Sequence, residues 1–272
     1  MAVTMEEIKK LRTMTGAGMM DCKNALAESN GDMEKAIELI RKRGQAIAAK
    51  RSDREASEGC VLAAVKDGFA AIVAVKCETD FVAKNADFVA LTQNILDAAM
   101  AAKVNSKDAL LALTINGRTV ADLITERSGV TGEKMELGYF ECLTGATCVE
   151  YMHPGNKLAT IVSFAEAGVE RQVARDVAMQ VAAMNPVALN RDEVPEDIKA
   201  KELEIGREKA REEGKPEQIL DKIAMGRLNK FFQENTLIEQ EFIKDNKQNV
   251  GAYCKANNAT PTAFRRVNLN QD

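Results

Sequence analysis

The sequence predicts an α+β protein assembled from several units. Three observations predict this class. The first 44 residues show helical spacing of apolar residues, and two later segments each follow a strand–turn–strand–helix order. A charged region near residue 200 has the composition of a helical hairpin. A length of 272 residues is sufficient for two or more domains with a buried core.

These patterns suggest five consecutive segments. The first is an N-terminal three-helix docking module with its linker, at residues 1–54. Residues 55–134 and 135–186 form the two parts of an α+β core with antiparallel sheets. A protruding antiparallel helical hairpin spans 187–235, and a C-terminal module at 236–272 returns to the core.

Three short helices are predicted within residues 1–44. A glycine-rich break at residues 15–18 ends the first helix, and Asn30-Gly31 ends the second. The third is expected to stop near Gly44, because residues 45–58 change to Ala, Lys, Arg, Ser and Glu. That change indicates a linker.

Residues 41–54 form the one basic stretch of the chain. Its positive charges are Arg41, Lys42, Arg43, Lys50, Arg51 and Arg54. One interpretation is an arm that contacts RNA phosphates. The other is a solvated linker whose positive charge lies near a helix C-terminus. The second is favoured, since no aromatic side chains are interleaved for base stacking.

The first part of the core is predicted to begin with a β-hairpin at residues 60–76. Asp67-Gly68 separates two apolar runs there, which is the strongest short-range hairpin signal. A helix is expected at 86–102. A less regular helical stretch follows at 106–127, interrupted by Asn116-Gly117.

The same order of elements recurs in the second part of the core. Residues 135–152 and 158–164 are β-like and flank a turn at Pro154-Gly155-Asn156. A helix is predicted at 169–184, where valines recur four residues apart. The recurrence suggests two related halves, by pattern and not by sequence identity.

The charged region predicts two helical arms divided at Gly214-Lys215-Pro216. The apolar stripe of the second arm is Ile219, Leu220, Ile223, Ala224, Leu228 and Phe231. Because the first arm has little apolar surface, the hairpin should protrude and need a partner, and a second copy of the chain is one candidate. A short helix at 250–256 and a strand at 262–269 follow.

The composition argues against an enzyme. The net charge is −4, and the single histidine, His153, disfavours multi-histidine zinc sites and Ser-His-Asp triads. The six cysteines include no C-x-x-C pair, so they are expected to be reduced and mostly buried, with a redox couple of Cys142 and Cys148 as a minor alternative. Neither a signal peptide nor a membrane span is recognised, and a cytoplasmic location is expected.

Two segments carry specific motifs. The first is Leu11-Arg-Thr-Met-Thr-Gly-Ala-Gly-Met-Met-Asp-Cys-Lys23, followed by Ala25-Leu26. The second is Val75-Lys-Cys-Glu-Thr-Asp-Phe-Val-Ala-Lys84. Both resemble the bacterial elongation factor Ts family, with which Asn30-Gly31-Asp32 also agrees. The resemblance covers essentially the whole chain.

The resemblance implies a guanine-nucleotide exchange factor for the GTPase elongation factor Tu. Such a factor binds the GDP form, dislodges Mg²⁺ and promotes GDP release so that GTP can bind. The resemblance also implies a ubiquitin-associated-like fold for the N-terminal module, and action through protein contacts alone. We therefore predict no catalytic residue, metal site or cofactor, and no nucleic-acid or membrane partner. A homodimer or a 2:2 complex through the hairpin is left open.

Thr79, Asp80, Phe81 and Val82 form the first candidate site. From the residues alone, Phe81 would be a core aromatic and Asp80 a helix cap. The resemblance implies that Asp80 and Phe81 instead reach the magnesium site of the GTPase, where Phe81 acts as a wedge. Mg²⁺ requires near-ideal octahedral geometry, so a small displacement of the surrounding ligands weakens the binding of the ion.

Met19, Met20 and His153 are further candidates for partner contact. Helical spacing puts Met20 opposite the apolar face of its helix and Met19 near the edge of that face. An exposed methionine beside a glycine loop suits an adaptable protein-binding surface, although a methionine that covers the core is the other interpretation. His153 would by default be a solvent-exposed turn residue, and only the resemblance implies a contact.

Two other functions are weighed against exchange. A ribosome- or RNA-associated adaptor would use the basic stretch 41–54. A thiol oxidoreductase would use Cys142 and Cys148.

Overall fold

The computed structural model describes residues 3–270 and shows mixed helices and antiparallel sheets, which confirms the predicted α+β class. The helices are α1 Met5–Thr15, α2 Met19–Glu28, α3 Met33–Lys50, α4 Asp80–Ala83, α5 Ala86–Ala102, α6 Lys107–Ala112, α7 Val120–Thr131, α8 Arg171–Met184, α9 Glu196–Glu212, α10 Leu220–Asn235 and α11 Val250–Ala256. The strands are β1 Glu58–Lys66, β2 Phe69–Cys77, β3 Thr114–Ile115, β4 Arg118–Thr119, β5 Glu136–Thr144, β6 Thr147–Met152, β7 Leu158–Phe164, β8 Glu241–Phe242, β9 Asp245–Asn249 and β10 Pro261–Asn268.

Two three-stranded antiparallel sheets form the centre of the molecule. Their strand orders are β1-β2-β5 and β10-β7-β6. The turn between β1 and β2 has positive φ at both Asp67 (49°) and Gly68 (70°), as the Asp-Gly pair predicts for a tight hairpin. The first sheet crosses the boundary predicted between residues 134 and 135, because β5 pairs with β2.

The two sheets pack face to face, and each has a helix on its outer face. In β2, Ala71 and Val73 point to the core under α5, whereas Ala70 and Ile72 point to the second sheet. In β7, Ile161 meets the first sheet and Val162 packs with α8. Strands buried on both faces are apolar at every position, which explains the continuous apolar runs in the sequence.

The stretch between α5 and β5 is more divided than the sequence predicted. The structure has α6, then a hairpin whose strands β3 and β4 have two residues each, and then α7. Asn116 and Gly117 form the hairpin turn with φ of 52° and 80°. The predicted interruption at Asn116-Gly117 is confirmed, with helices on both sides of it, but the β3–β4 strand pair that this turn connects was not predicted.

The N-terminal module contains the three predicted helices, but α3 does not stop at Gly44. It continues to Lys50, so residues 45–50 are helical and not linker. Gly44 lies where α3 crosses α7, against Gly129. A Cβ added to Gly129 would lie 2.1 Å from the Cα of Gly44, so the crossing requires glycine at position 129. Close packing offsets the low helix propensity of Gly44.

The helical hairpin is formed by α9 and α10, as predicted. Leu220, Ala224 and Leu228 of the second arm are buried, and Gly206 of the first arm packs against Ala224. Much of the stripe is thus covered within the chain, although Ile219 is exposed. The buried side chains of the stripe therefore do not need a second copy of the chain to cover them, and dimerisation stays a prediction.

The segment after the hairpin is tied to α8 by a buried carboxylate. Asp176 of α8 accepts hydrogen bonds from Lys244 at 2.6 Å and from the Tyr253 hydroxyl at 3.0 Å. Burial and the bond to Asp176 raise the pKa of Tyr253 to about 12. This network fixes the β8–β9 pair and α11, and β10 then completes the second sheet. In the described part of the chain, no helix is long and apolar enough to cross a membrane.

Candidate functional site

Phe81 projects into solvent. It is 84% exposed, the largest exposed fraction of any large apolar side chain within residues 3–270. The interpretation of Phe81 as a core aromatic was therefore wrong. The neighbouring Val82 and Ala83 do pack into the core under α5, so the backbone of this turn is anchored while its aromatic ring is free.

The one-turn helix α4 presents Phe81. Its N-cap is Thr79, whose hydroxyl accepts a hydrogen bond from the Val82 N–H at 3.4 Å, and not Asp80 as expected from the residues alone. Asp80 lies in the first turn and pairs with Lys84 at 2.7 Å. The hydrogen bond from Lys84 lowers the pKa of Asp80, and the charge of Lys157 adds a smaller effect in the same direction. Asp80 is thus held as an anion beside Phe81.

A residue that the sequence did not indicate supports this turn. The Glu133 carboxylate accepts hydrogen bonds from the backbone N–H groups of Glu78 and Thr79, both at 3.1 Å, and from the Thr79 hydroxyl at 2.6 Å. In the sequence, Gly132 marks the end of a helix. No pattern in the sequence shows that the next side chain reaches residues 78–79.

The turn that carries His153 lies at the same end of the two-sheet core. Lys157, in the β6–β7 turn, pairs with Glu58 at 2.6 Å. Glu58 is opposite Cys77 in the β1–β2 register, and Cys77 is two residues before Thr79 in the sequence. The structure therefore brings the two predicted sites to one edge of the molecule. His153 is exposed, and its Nδ1 lies 3.0 Å from the Tyr151 hydroxyl.

Met19 and Met20 begin α2 and are exposed, at 43% and 64%. Exposure of Met20 agrees with the helical-spacing prediction. The glycine loop before them approaches the same end of the core through Arg127, which lies against Gly16 and donates to Asn85 and Asp87 at 3.2 Å. Asn85 is the N-cap of α5 and follows α4 directly. The glycine loop that precedes Met19 and Met20 is thus connected through Arg127 to the start of α5.

Five of the six basic side chains in the stretch 41–54 form ion pairs with carboxylates of this chain. Ion pairs join Arg41 to Asp122, Lys42 to Glu38, Arg43 to Glu28, and Arg51 and Arg54 to Glu78. Side chains already paired with carboxylates offer little free charge to a phosphate backbone. These contacts argue against the RNA-arm interpretation.

The six cysteines are thiols, and four of them are buried. Cys142 packs on the α5 side of the first sheet, whereas Cys148 packs between the sheets. Placement on different faces argues against a redox couple. Within the described residues, no group of three or more His, Cys, Asp or Glu side chains is arranged to hold a metal ion.

Three buried thiols make the free energy of unfolding sensitive to alkaline pH. Burial raises the pKa of Cys60 to about 11 and those of Cys77 and Cys254 to about 12, from an ordinary value of 9.0. Above pH 9 the unfolded chain loses thiol protons that the folded chain keeps. The stability contribution is therefore complete below pH 9 and falls as pH rises toward 11 or 12, by about 2 kcal/mol per thiol at pH 10.5.

Between pH 8 and pH 10.5, the free energy of unfolding should fall in both proteins. We expect the fall to be about 2 kcal/mol smaller in Cys254→Ala than in the wild type. Urea unfolding at the two pH values measures this. Cys142→Ala, at a half-buried thiol, is the control and should show a smaller difference. Equal pH dependence in the wild type and Cys254→Ala would contradict the prediction.

The sequence matches known proteins along its whole length. The family model described as Elongation factor TS matches residues 78–271. The chain is 62% identical over 275 residues to Elongation factor Ts of Porphyromonas gingivalis, with 100% of each chain covered. It is 54% identical over 274 residues to Elongation factor Ts of Azobacteroides pseudotrichonymphae, again with 100% of each covered. For Elongation factor Ts of Bacteroides fragilis, identity is 47% over 312 residues, with 94% of each covered.

Proposed function

Because the chain belongs to the elongation factor Ts family, we propose that it is the guanine-nucleotide exchange factor of elongation factor Tu. Family membership makes it a translation elongation factor, and we place its action in the cytoplasm. The observation that carries the exchange proposal is the exposure of Phe81, at 84%, on a turn that is otherwise anchored. A large aromatic ring held in water is suited to insertion into a partner.

Phe81 acts as a wedge at the magnesium site of the GTPase. Insertion of the ring moves the packed side chains that position the Mg²⁺ ligands, and the ion tolerates such movement poorly. When the binding of Mg²⁺ is weakened, the phosphates of GDP lose much of their neutralising charge. Asp80 accompanies Phe81 as a fixed negative charge, while Thr79 and Val82 hold the turn.

One aromatic contact does not supply enough free energy alone. An acceleration of GDP release by about 10⁴ requires roughly 5.4 kcal/mol. Burial of one Phe contributes about 1.5–3 kcal/mol. The remainder comes from other contacts, for which we assign Met19 and Met20 on the N-terminal module and His153 in the β6–β7 turn. By linkage, the factor binds nucleotide-free GTPase more tightly than the GDP form, by the same free energy with which it weakens GDP.

The test is release of a fluorescent GDP analogue from elongation factor Tu, followed by stopped flow. We expect the release rate to rise with the concentration of this protein and to saturate. Excess Mg²⁺ should oppose the effect, because it favours the GDP complex. The proposal fails if the rate is the same with and without the protein.

A further inference from the structure

We infer that Glu133 is a positioning residue for exchange: its carboxylate holds the turn from which Phe81 projects. The inference rests on the proposed function, since it concerns how Phe81 is presented to the GTPase. Glu133 is far from this turn in the sequence, and its side chain supports the turn without projecting beside Phe81.

The contact uses both oxygens of the carboxylate. Oε2 accepts from the N–H groups of Glu78 and Thr79 at 3.1 Å, and Oε1 accepts from the Thr79 hydroxyl at 2.6 Å. Hydrogen bonds to a carboxylate are stronger than those between neutral groups, and the bond from the Thr79 hydroxyl is also short. Three such bonds converge on two consecutive residues, so the backbone entering α4 has little freedom.

Residues 78–79 and 133–134 hold each other in both directions. While the Glu133 side chain binds the backbone of Glu78 and Thr79, the Glu78 side chain accepts from the backbone N–H of Lys134 at 2.6 Å. Arg54 donates to the second oxygen of Glu78 at 3.1 Å. The N–H of Lys134, followed by Arg54, holds the pKa of Glu78 below its ordinary value. We call the group formed by Arg54, Glu78, Thr79, Glu133 and Lys134 the carboxylate clamp.

The turn needs such support because it has little of its own. α4 is only four residues long, and an isolated helical turn is unstable in water. The ring of Phe81 is almost fully exposed, so packing does not fix its direction. The turn is held on one side by the carboxylate clamp and on the other by Val82 and Ala83 in the core.

Glu133 is itself fixed by the end of α7. Gly132 adopts the left-handed conformation, with φ of 72°, and ends the helix. The N–H of Glu133 donates to the Thr131 hydroxyl at 3.3 Å, and the Ser128 hydroxyl donates to the Glu133 carbonyl. The side chain therefore leaves α7 in a defined direction, toward Thr79.

The test compares Glu133→Gln with a matched control in the same stopped-flow assay. Glu166 makes the same kind of contact elsewhere, accepting from the N–H and the hydroxyl of Thr260 at 2.7 and 2.6 Å. We expect Glu133→Gln to lower the maximal rate of GDP release about tenfold, as it would if the productive turn were populated about one-tenth of the time. The concentration of factor at half-maximal rate should change less than threefold, and Glu166→Gln should leave both values unchanged.

Two further measurements separate positioning from general destabilisation. In Phe81→Ala, adding Glu133→Gln should cause no further slowing, because Glu133 acts through Phe81. Amide exchange at Thr79 and Val82 should be faster in Glu133→Gln than in the wild type. If Glu133→Gln proves unfolded, Thr79→Val, which keeps the Glu133 carboxylate but removes the hydroxyl bonds to Glu133 and to the Val82 N–H, should also slow release.

The outcomes distinguish the inference from the function on which it rests. If Phe81→Ala slows release and folded Glu133→Gln does not, the positioning role is overturned and the proposed function stands. If neither slows release, the wedge itself is wrong. Equal slowing by Glu133→Gln and Glu166→Gln, or additive slowing in the double variant, would also overturn the positioning role.

Discussion

Phe81→Ala is expected to slow maximal GDP release from elongation factor Tu by about 10- to 100-fold. Without the ring, the transition state loses about 1.5–3 kcal/mol of stabilisation from burial. Each 1.4 kcal/mol of lost stabilisation slows the reaction about tenfold. Some binding should survive, since the contacts proposed for Met19, Met20 and His153 do not involve the ring of Phe81. Stopped-flow release at saturating factor measures the rate, and titration against nucleotide-free GTPase measures the affinity.

The variant should fold normally, because a side chain that is 84% exposed contributes little to the core. Thermal unfolding of Phe81→Ala within about 0.5 kcal/mol of the wild type would confirm this point. Met225→Ala is a suitable control, since Met225 is also exposed, at 51%, but lies on the helical hairpin. An unchanged release rate in Phe81→Ala would refute the wedge.

Gly129→Ala is expected to destabilise the protein by about 1–3 kcal/mol or more. The added Cβ would lie 2.1 Å from the Cα of Gly44, so α3 and α7 would have to move apart. Urea unfolding monitored by circular dichroism measures the loss. Because Glu133 lies two residues after the end of α7, slower GDP release should accompany the displacement.

Two glycine substitutions provide matched controls. Gly226 lies on the open face of α10, where an added Cβ meets nothing within 4 Å, so Gly226→Ala should stabilise the protein by about 0.5–1 kcal/mol. In Gly44→Ala the new Cβ would lie 3.5 Å from the Cα of Gly129, an ordinary contact, and the change should be tolerated. Equal stability of Gly129→Ala and Gly44→Ala would show that the crossing is not as close as described.

The main elements could be predicted where local patterns and tertiary contacts agree. The β1–β2 hairpin combines double-sided burial with an Asp-Gly turn, and α5 begins and ends at the predicted residues. The extension of α3 could not be predicted, since it depends on Gly129, which is distant in sequence. The β3–β4 pair was missed because two-residue strands leave no periodicity to detect.

The candidate site was only partly accessible from the sequence. Helical spacing was sufficient to place Met20 in solvent. It was not sufficient for Phe81, because a single turn does not define an apolar face, and the residues alone pointed to the core. Glu133 and Lys157 act on the site through the folding of distant segments, and their chemistry is visible only once β1, β2 and the end of α7 are assembled.

The strand order of the second sheet has a consequence for synthesis on the ribosome. β7 lies between β6 and β10, but the whole helical hairpin is translated between Phe164, which ends β7, and Pro261, which starts β10. The first sheet is complete once Thr144 has emerged, whereas β7 keeps an unpaired edge for much longer. Nascent chains should therefore acquire the first sheet early and close the second late, and in that interval the edge of β7 is the segment most exposed to mispairing and most in need of a chaperone.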